Sequence, residues 1–224
     1  NDPLKAYGKT IDLIAMGGAQ YVHTFDKCLF MPSDLTAGLE YNRDRLKDNM
    51  WGYDRHTDQT VNIYSAFLQN EWKNERWSIL VGGRLDKHNM VDNIIFSPRA
   101  NLRFNPTQNI NLRLSYSSGF RAPQAFDEDM HIENVGGTVA MIERTKNLKE
   151  EKSQSFSASA DIYHRFGAFQ TNFLIEGFYT KLTDVFVLGE PYNRGDGVLV
   201  KLRSNGPGAK TMIDICGCTK TLRL

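Results

Sequence analysis

The chain has little of several things that would narrow its function at once. Of 224 residues three are cysteine, Cys28, Cys216 and Cys218, too few and too unevenly placed for a disulfide framework. Cys216-Gly217-Cys218 has no second Cys/His pair to complete a metal site, so the thiols read as incidental. No apolar run approaches the roughly 20 residues of a membrane-spanning helix, and mean hydropathy is −0.45. That excludes a helical membrane protein but leaves a membrane β-barrel open, because barrel strands alternate and average out as polar. Charge of one sign is also missing. The 27 Lys+Arg stand against 26 Asp+Glu, a net charge of +1, which exerts no general pull on nucleic acid or an anionic surface. No basic segment followed by an apolar one opens the chain, so Asn1-Asp-Pro reads as the start of a mature fragment. Segments of helical period are scarce, and no nucleophile-elbow serine or His-Glu-x-x-His helix occurs. Asp127-Glu128-Asp129 would make a weak cation site at best, and His164 with nearby serines is the nearest approach to a hydrolase pair. The expectation is a protein that is not an enzyme.

What the chain does have is alternation. Ile110, Leu112, Leu114 and Tyr116 take one parity while Asn111, Arg113, Ser115 and Ser117 take the other, which makes a strand with one greasy and one wet face. The pattern recurs over Leu35–Asn42, Gln59–Trp72, Trp77–Asp86, Phe96–Phe104, Ser155–Ile162 and Phe169–Val187. On the second of these, Ile63 and Phe67 interrupt the wet face. Ile11 to Tyr21 is a further candidate strand, and Pro32-Ser33-Asp34 reads as a turn.

Connections alternate in length. Arg43–Asp58, His88–Asn93 and the stretch after Ser117 are long, whereas Lys73–Arg76, Asn105–Gln108 and Gly167-Ala168 are short. Short turns at one end and long loops at the other are the rule of outer-membrane barrels. Trp72, Trp77 and Phe104 fall beside short turns on the greasy parity, where an aromatic girdle would sit. Charges on the wet parity could not fill a dry core without partners. The expected fold is all-β, an antiparallel transmembrane β-barrel segment forming an incomplete curved sheet of about 8–10 strands with two unpaired edges. The competing reading is a soluble β-sandwich, a ligand- or glycan-binding module whose greasy parity is an ordinary core.

At the centre the sequence resembles the TonB-dependent receptors of the outer membrane, most of all those of Bacteroides-type bacteria. The matching pieces are Ser97-Pro98-Arg99, Ser117-Ser-Gly-Phe-Arg-Ala-Pro123 with Asp127-Glu128-Asp129 after it, Asn147-Leu148 followed by Glu151 and Ser153, Phe178-Tyr179 with Asp184, and Asn205-Gly206 with Gly208-Ala209. They run in family order from about Leu35 to Ala209. The resemblance implies part of a barrel set in outer-membrane lipid. In the complete receptor a plug domain and TonB are the partners, and a scarce metal chelate or cofactor of the siderophore, haem or cobalamin class is bound and imported; nothing is held covalently. Residues 1–209 are expected to be this partial barrel, starting without a plug. Residues 210–224 are expected to be an atypical tail without the descending strand or terminal aromatic, as a truncated or frame-shifted product would have. A barrel remnant without function is then a further reading.

Three groups of candidate residues follow. The family segment is Gly119, Phe120, Arg121, Ala122 and Pro123, with Glu128 and Glu151; Pro123 ends the strand, and Arg121 either neutralises Asp127, Glu128 or Asp129 or helps hold the substrate-facing loop. Loop residues Trp51, Tyr53, His56, Tyr192 and Arg194 offer aromatic and cationic surface to an anionic, aromatic chelate, or pack the loops. His131, between two family segments, resembles a haem-ligating loop histidine, with a surface histidine as the alternative. The wet-parity charges Glu40, Glu71, Arg84, Arg99, Arg103, Arg113 and Glu176 would face a lumen and pair with a plug or with one another. No metal site is expected.

Overall fold

Period-two alternation along the chain produces β structure along the chain. The computed structural model describes residues 8–53, 55–124, 133–135, 138–145, 147–167, 169–195 and 199–222. In chain order the strands are β1 (Gly8–Cys28), β2 (Met31–Met50), β3 (Arg55–Lys73), β4 (Trp77–His88), β5 (Ile95–Thr107), β6 (Ile110–Arg121), β7 (Glu133–Val135), β8 (Thr138–Arg144), β9 (Glu151–Phe166), β10 (Phe169–Thr183), β11 (Phe186–Leu188), β12 (Tyr192–Asn193), β13 (Leu199–Asn205) and β14 (Ala209–Leu222). Nine of them form one antiparallel meander, β1-β2-β3-β4-β5-β6-β9-β10-β14. The other five form a small sheet inside the two longest connections, with β13 and β8 running parallel.

Register aligns the greasy positions across the meander. Ile79 faces Leu102, Leu102 faces Leu114, and Leu114 faces Ala158. This face lies open: Leu112, Leu114, Phe156, Phe173 and Ile175 are between 37% and 54% exposed. No second layer of the described chain covers it, which overturns the sandwich reading. The outermost strands β1 and β14 do not pair with each other, so the sheet is an open wall. Trp77 stacks on Phe104 with ring centroids 4.1 Å apart, and Trp72 stacks on Phe30 at 5.6 Å, all beside tight turns.

Several segments depart from expectation. The charged stretch Arg43–Asp58 is not a loop. It extends β2 and β3 around a 3-10 turn at Trp51–Tyr53, because opposite charges and amides pair across strands there: Thr10 donates to Asp48 at 2.6 Å, and Arg55 donates to the same carboxylate at 2.8 Å. The first turn falls at Leu29-Phe30, not at Pro32-Ser33-Asp34. Pro32 sits in β2, where the β1 register shifts between Phe25 and Cys28, an irregularity that spares the proline a ladder bond. Strand β10 ends at Thr183, short of Val187, where Asp184 takes a left-handed φ of 54°.

The tail also forms a strand, since β14 pairs along β10 from Leu182↔Ala209 to Phe169↔Leu222. Its side-chain pattern is mixed, however, since Met212 and Cys216 stay on the greasy face opposite Tyr179 and Ile175. Asp214 falls on the greasy face opposite Gly177, while Ile213 and Ile215 fall on the wet face opposite Phe178 and Glu176. Backbone pairing requires only an unpaired neighbouring edge, so β14 forms although its side chains do not sort cleanly by face.

Candidate functional site at the loop end

The wet face carries a bonded network. Arg84 donates to Glu40 at 2.5 Å, to Asp86 at 2.8 Å and to Ser65 at 2.8 Å, and Ser65 donates to Asp86 at 2.6 Å. Glu40 lies on β2 and Arg84 on β4, so the contact bridges β3. Phe67, one of the apolar interruptions on this parity, packs against Gly38: a Cβ there would come within 2.4 Å of the ring. Arg113 stands 3.7 Å from Asp161, and its register partner is Arg103. Glu71 accepts from Ser78 at 2.7 Å, and Glu176 is half-buried opposite Ser159. Arg99 is exposed and has no ion pair among the described residues; it lines a polar cavity of ≈ 460 Å³ with Gln20, Glu40, Gln69, Arg84 and Ser117. The charges therefore pair with one another in part and leave Arg99 open.

Above the end of β4 the wet face gains buried apolar residues among buried polar ones such as Asp48 and Gln59. Ile63 stands opposite His88, the last residue of β4, and Leu46 and Val61 beyond it are buried. The small sheet is seated on this region. Its Met141 and Val200 are buried, and Arg144 at the end of β8 donates at 3.0 Å both to Gln59 on β3 and to the carbonyl of Pro123. The interruption at Ile63 thus marks where the lumen-side face stops meeting water and begins to carry a cap.

The family residues converge on the base of this cap. Gly119 faces Ser153, and Arg121 faces Glu151, in register. Glu151 accepts the Phe186 N–H at 2.9 Å, and the Arg121 guanidinium lies 5.7 Å from the Phe186 ring centroid. Phe120 packs on a buried cluster of Val91, Ile95 and Ala122, and Pro123 is buried. Asn205 accepts from Lys149 N–H at 2.8 Å and donates to the carbonyls of Lys149 and Asp184 at 3.1 and 2.7 Å. Motifs dispersed over some 85 residues of sequence thus build one junction that fixes the loops. Asp127, Glu128, Asp129 and His131 lie outside the described residues.

The loop aromatics fall into two places. Trp51 is exposed at the tip of the β2–β3 hairpin, the backbone of Tyr53 shares its turn, and His56 meets Asn49 through Nδ1 at 3.0 Å. That hairpin projects eight residues of β3 (55–62) past His88, roughly 25 Å at strand rise. Tyr192 and Arg194 belong to the cap instead, where Arg194 pairs with Glu143 at 3.1 Å. His164 makes an edge contact with Phe166 at 4.1 Å and has no serine hydrogen-bonded to it among the described residues. No group of His, Cys, Asp and Glu able to hold a metal occurs among those residues.

Sequence reasoning missed His88. It is fully buried, accepts the Met90 N–H at Nδ1 (3.0 Å) and meets Gln124 Oε1 from Nε2 (3.4 Å). Burial holds its imidazole below the usual value, with Gln124 and Asp86 pulling the other way. The available signal was that His88 continues the wet parity of Arg84 and Asp86 to the strand end.

The family described as "TonB dependent receptor-like, beta-barrel" matches residues 6–209. The chain belongs to the TonB-dependent receptors. It is part of the barrel of an outer-membrane family of transporters, not of enzymes, and the match begins earlier than Leu35 and ends at the first residue of β14. Solved receptors share the fold. The siderophore receptor PirA of Pseudomonas aeruginosa superposes with a TM-score of 0.71 at 16% identity, covering 96% of this chain and 40% of that one. The ferric enterobactin receptor of the same organism, in complex with enterobactin, gives 0.68 at 18% identity over 96% and 34%. The Serratia marcescens hemophore receptor HasR, solved with its hemophore HasA and heme, gives 0.74 at 12% identity over 96% and 40%. The chain therefore spans about 34–40% of the length of these receptors. No curated protein matches by sequence. For this TonB-dependent receptor the tight-turn end is the periplasmic side and the capped end the extracellular side.

Proposed function

We propose that this chain is the wall and extracellular cap of a receptor that captures a scarce metal chelate or cofactor of the siderophore, haem or cobalamin class. In the whole receptor a plug fills the space before the wet face, and TonB drives the cargo inward. The supporting observation is the cap itself. Residues from four separated motifs fix the base of a small sheet at the loop end of the wall; that sheet carries Tyr192 and Arg194, and the hairpin bearing Trp51, Tyr53 and His56 projects from the same end. An aromatic and cationic rim of this kind suits an anionic, ring-bearing chelate. Arg99, Arg103 and Arg113 would meet carboxylates on the plug, and His131 would serve as the ligand if the cargo is haem.

Titrating the chain in detergent micelles with ferric enterobactin, haemin and cyanocobalamin, read by tryptophan quenching, tests this. One of the three is expected to saturate, with Trp51→Ala or Arg194→Ala weakening it about tenfold. Failure of all three would reject the reading. The misplaced Asp214, Ile213 and Ile215 of β14 favour a second one, in which residues 210–224 are a frame-shifted tail on a barrel remnant. Failure to insert into lipid vesicles would support it.

A further inference from the structure

We propose that His88 is an acid-release latch for the cap: a proton on this one imidazole frees the Ala122–Gln124 segment and, through it, the small sheet. The geometry dictates the direction. Because Nδ1 accepts the Met90 N–H, the ring's single proton sits on Nε2 and faces Gln124 Oε1. A second proton would put an N–H at Nδ1 head-on against the Met90 N–H, and a positive charge in a fully buried site.

Among the described residues, none facing His88 is free to absorb that charge. From its own strand His88 faces Asp86, whose carboxylate is already engaged by Arg84 and Ser65. The 89–94 connection offers backbone N–H groups, and β3 offers Ile63. The 122–124 segment offers neutral Gln124 and the Pro123 carbonyl, itself taken by the Arg144 cation. Relief comes by moving 89–94 and 122–124 away and admitting water. That withdraws the Pro123 carbonyl from Arg144, the side chain that seats β8. His88 is the twelfth residue of β4, counting Trp77 at the girdle as the first, just past the roughly 9–11 residues a strand needs to cross the bilayer, so solvent pH reaches it.

Hydrogen exchange of the full chain in micelles at pH 7.5, 6.0 and 5.0, corrected for intrinsic rates, provides the test. Peptides spanning 89–94, 120–124 and 138–145 are expected to exchange about tenfold faster at pH 5.0 than at 7.5, with spanning strands unmoved. His88→Asn keeps an acceptor for Met90 without a titrating group and is expected to flatten the response. A wild-type profile without pH dependence, or an unchanged acid response in His88→Asn, overturns the proposal. Should the variant be loose at every pH, imidazole nitrogen NMR of the wild type decides. Protonation of His88 coinciding with the onset of exchange supports the latch, and protonation with the cap unmoved overturns it.

Discussion

Arg144 donates to the buried Gln59 side chain 85 residues earlier and, from the same nitrogen, to Pro123. One guanidinium thereby joins the cap, the wall and the family segment. Arg144→Met keeps the length of the side chain and leaves the Gln59 acceptor buried without this donor, at a cost of about 1–3 kcal/mol. The loss is local. Limited proteolysis should cut the cap roughly tenfold faster while the denaturation midpoint of the wall stays near that of the parent.

The wet-face network allows a paired comparison. Arg84→Met leaves Asp86, which is buried, with Ser65 as its remaining donor among the described residues, and should destabilise the wall by about 2 kcal/mol. Glu40→Gln removes charge from a side chain that is 38% exposed, so solvent screening limits its effect to about 0.5 kcal/mol. Urea unfolding in micelles measures both, and equal effects would show that Asp86 is not the group that matters.

Asp214 puts a carboxylate on the lipid-facing side, and its Oδ1 would lie 2.9 Å from a Cβ built on Gly177. Replacing it with leucine restores the greasy row and should stabilise the β10–β14 pair by about 1 kcal/mol. An increase in the heat needed to shift the chain's mobility in detergent gels is the expected reading.

Leu29 occupies a left-handed φ of 63° in the β1–β2 turn and is 78% exposed. Leu29→Gly removes the clash between Cβ and the following carbonyl, loses no packing, and should raise stability by about 0.5–1 kcal/mol. A lowered midpoint would mean that the exposed leucine is held by the membrane interface instead.

Alternation by itself determined that the chain is a meander of strands, which parity is oily, and where the tight turns fall at Asn74–Arg76 and Gly167. A two-residue period has one geometric solution, and its phase assigns every side chain to a face. It misread Arg43–Asp58, because cross-strand charge pairs stabilise a strand without leaving an alternating pattern, and it misread Ala209–Leu222, because pairing to β10 uses backbone groups that carry no side-chain signature. Only the tertiary structure decided that Ile63 and Phe67 are not errors in the wet face: one lies opposite the buried His88 at the foot of the cap, the other over Gly38. It likewise decided that Arg121, Glu151, Asp184 and Asn205 meet. These contacts join residues far apart in sequence, and their partners are set by which strands lie side by side. No local pattern encodes that.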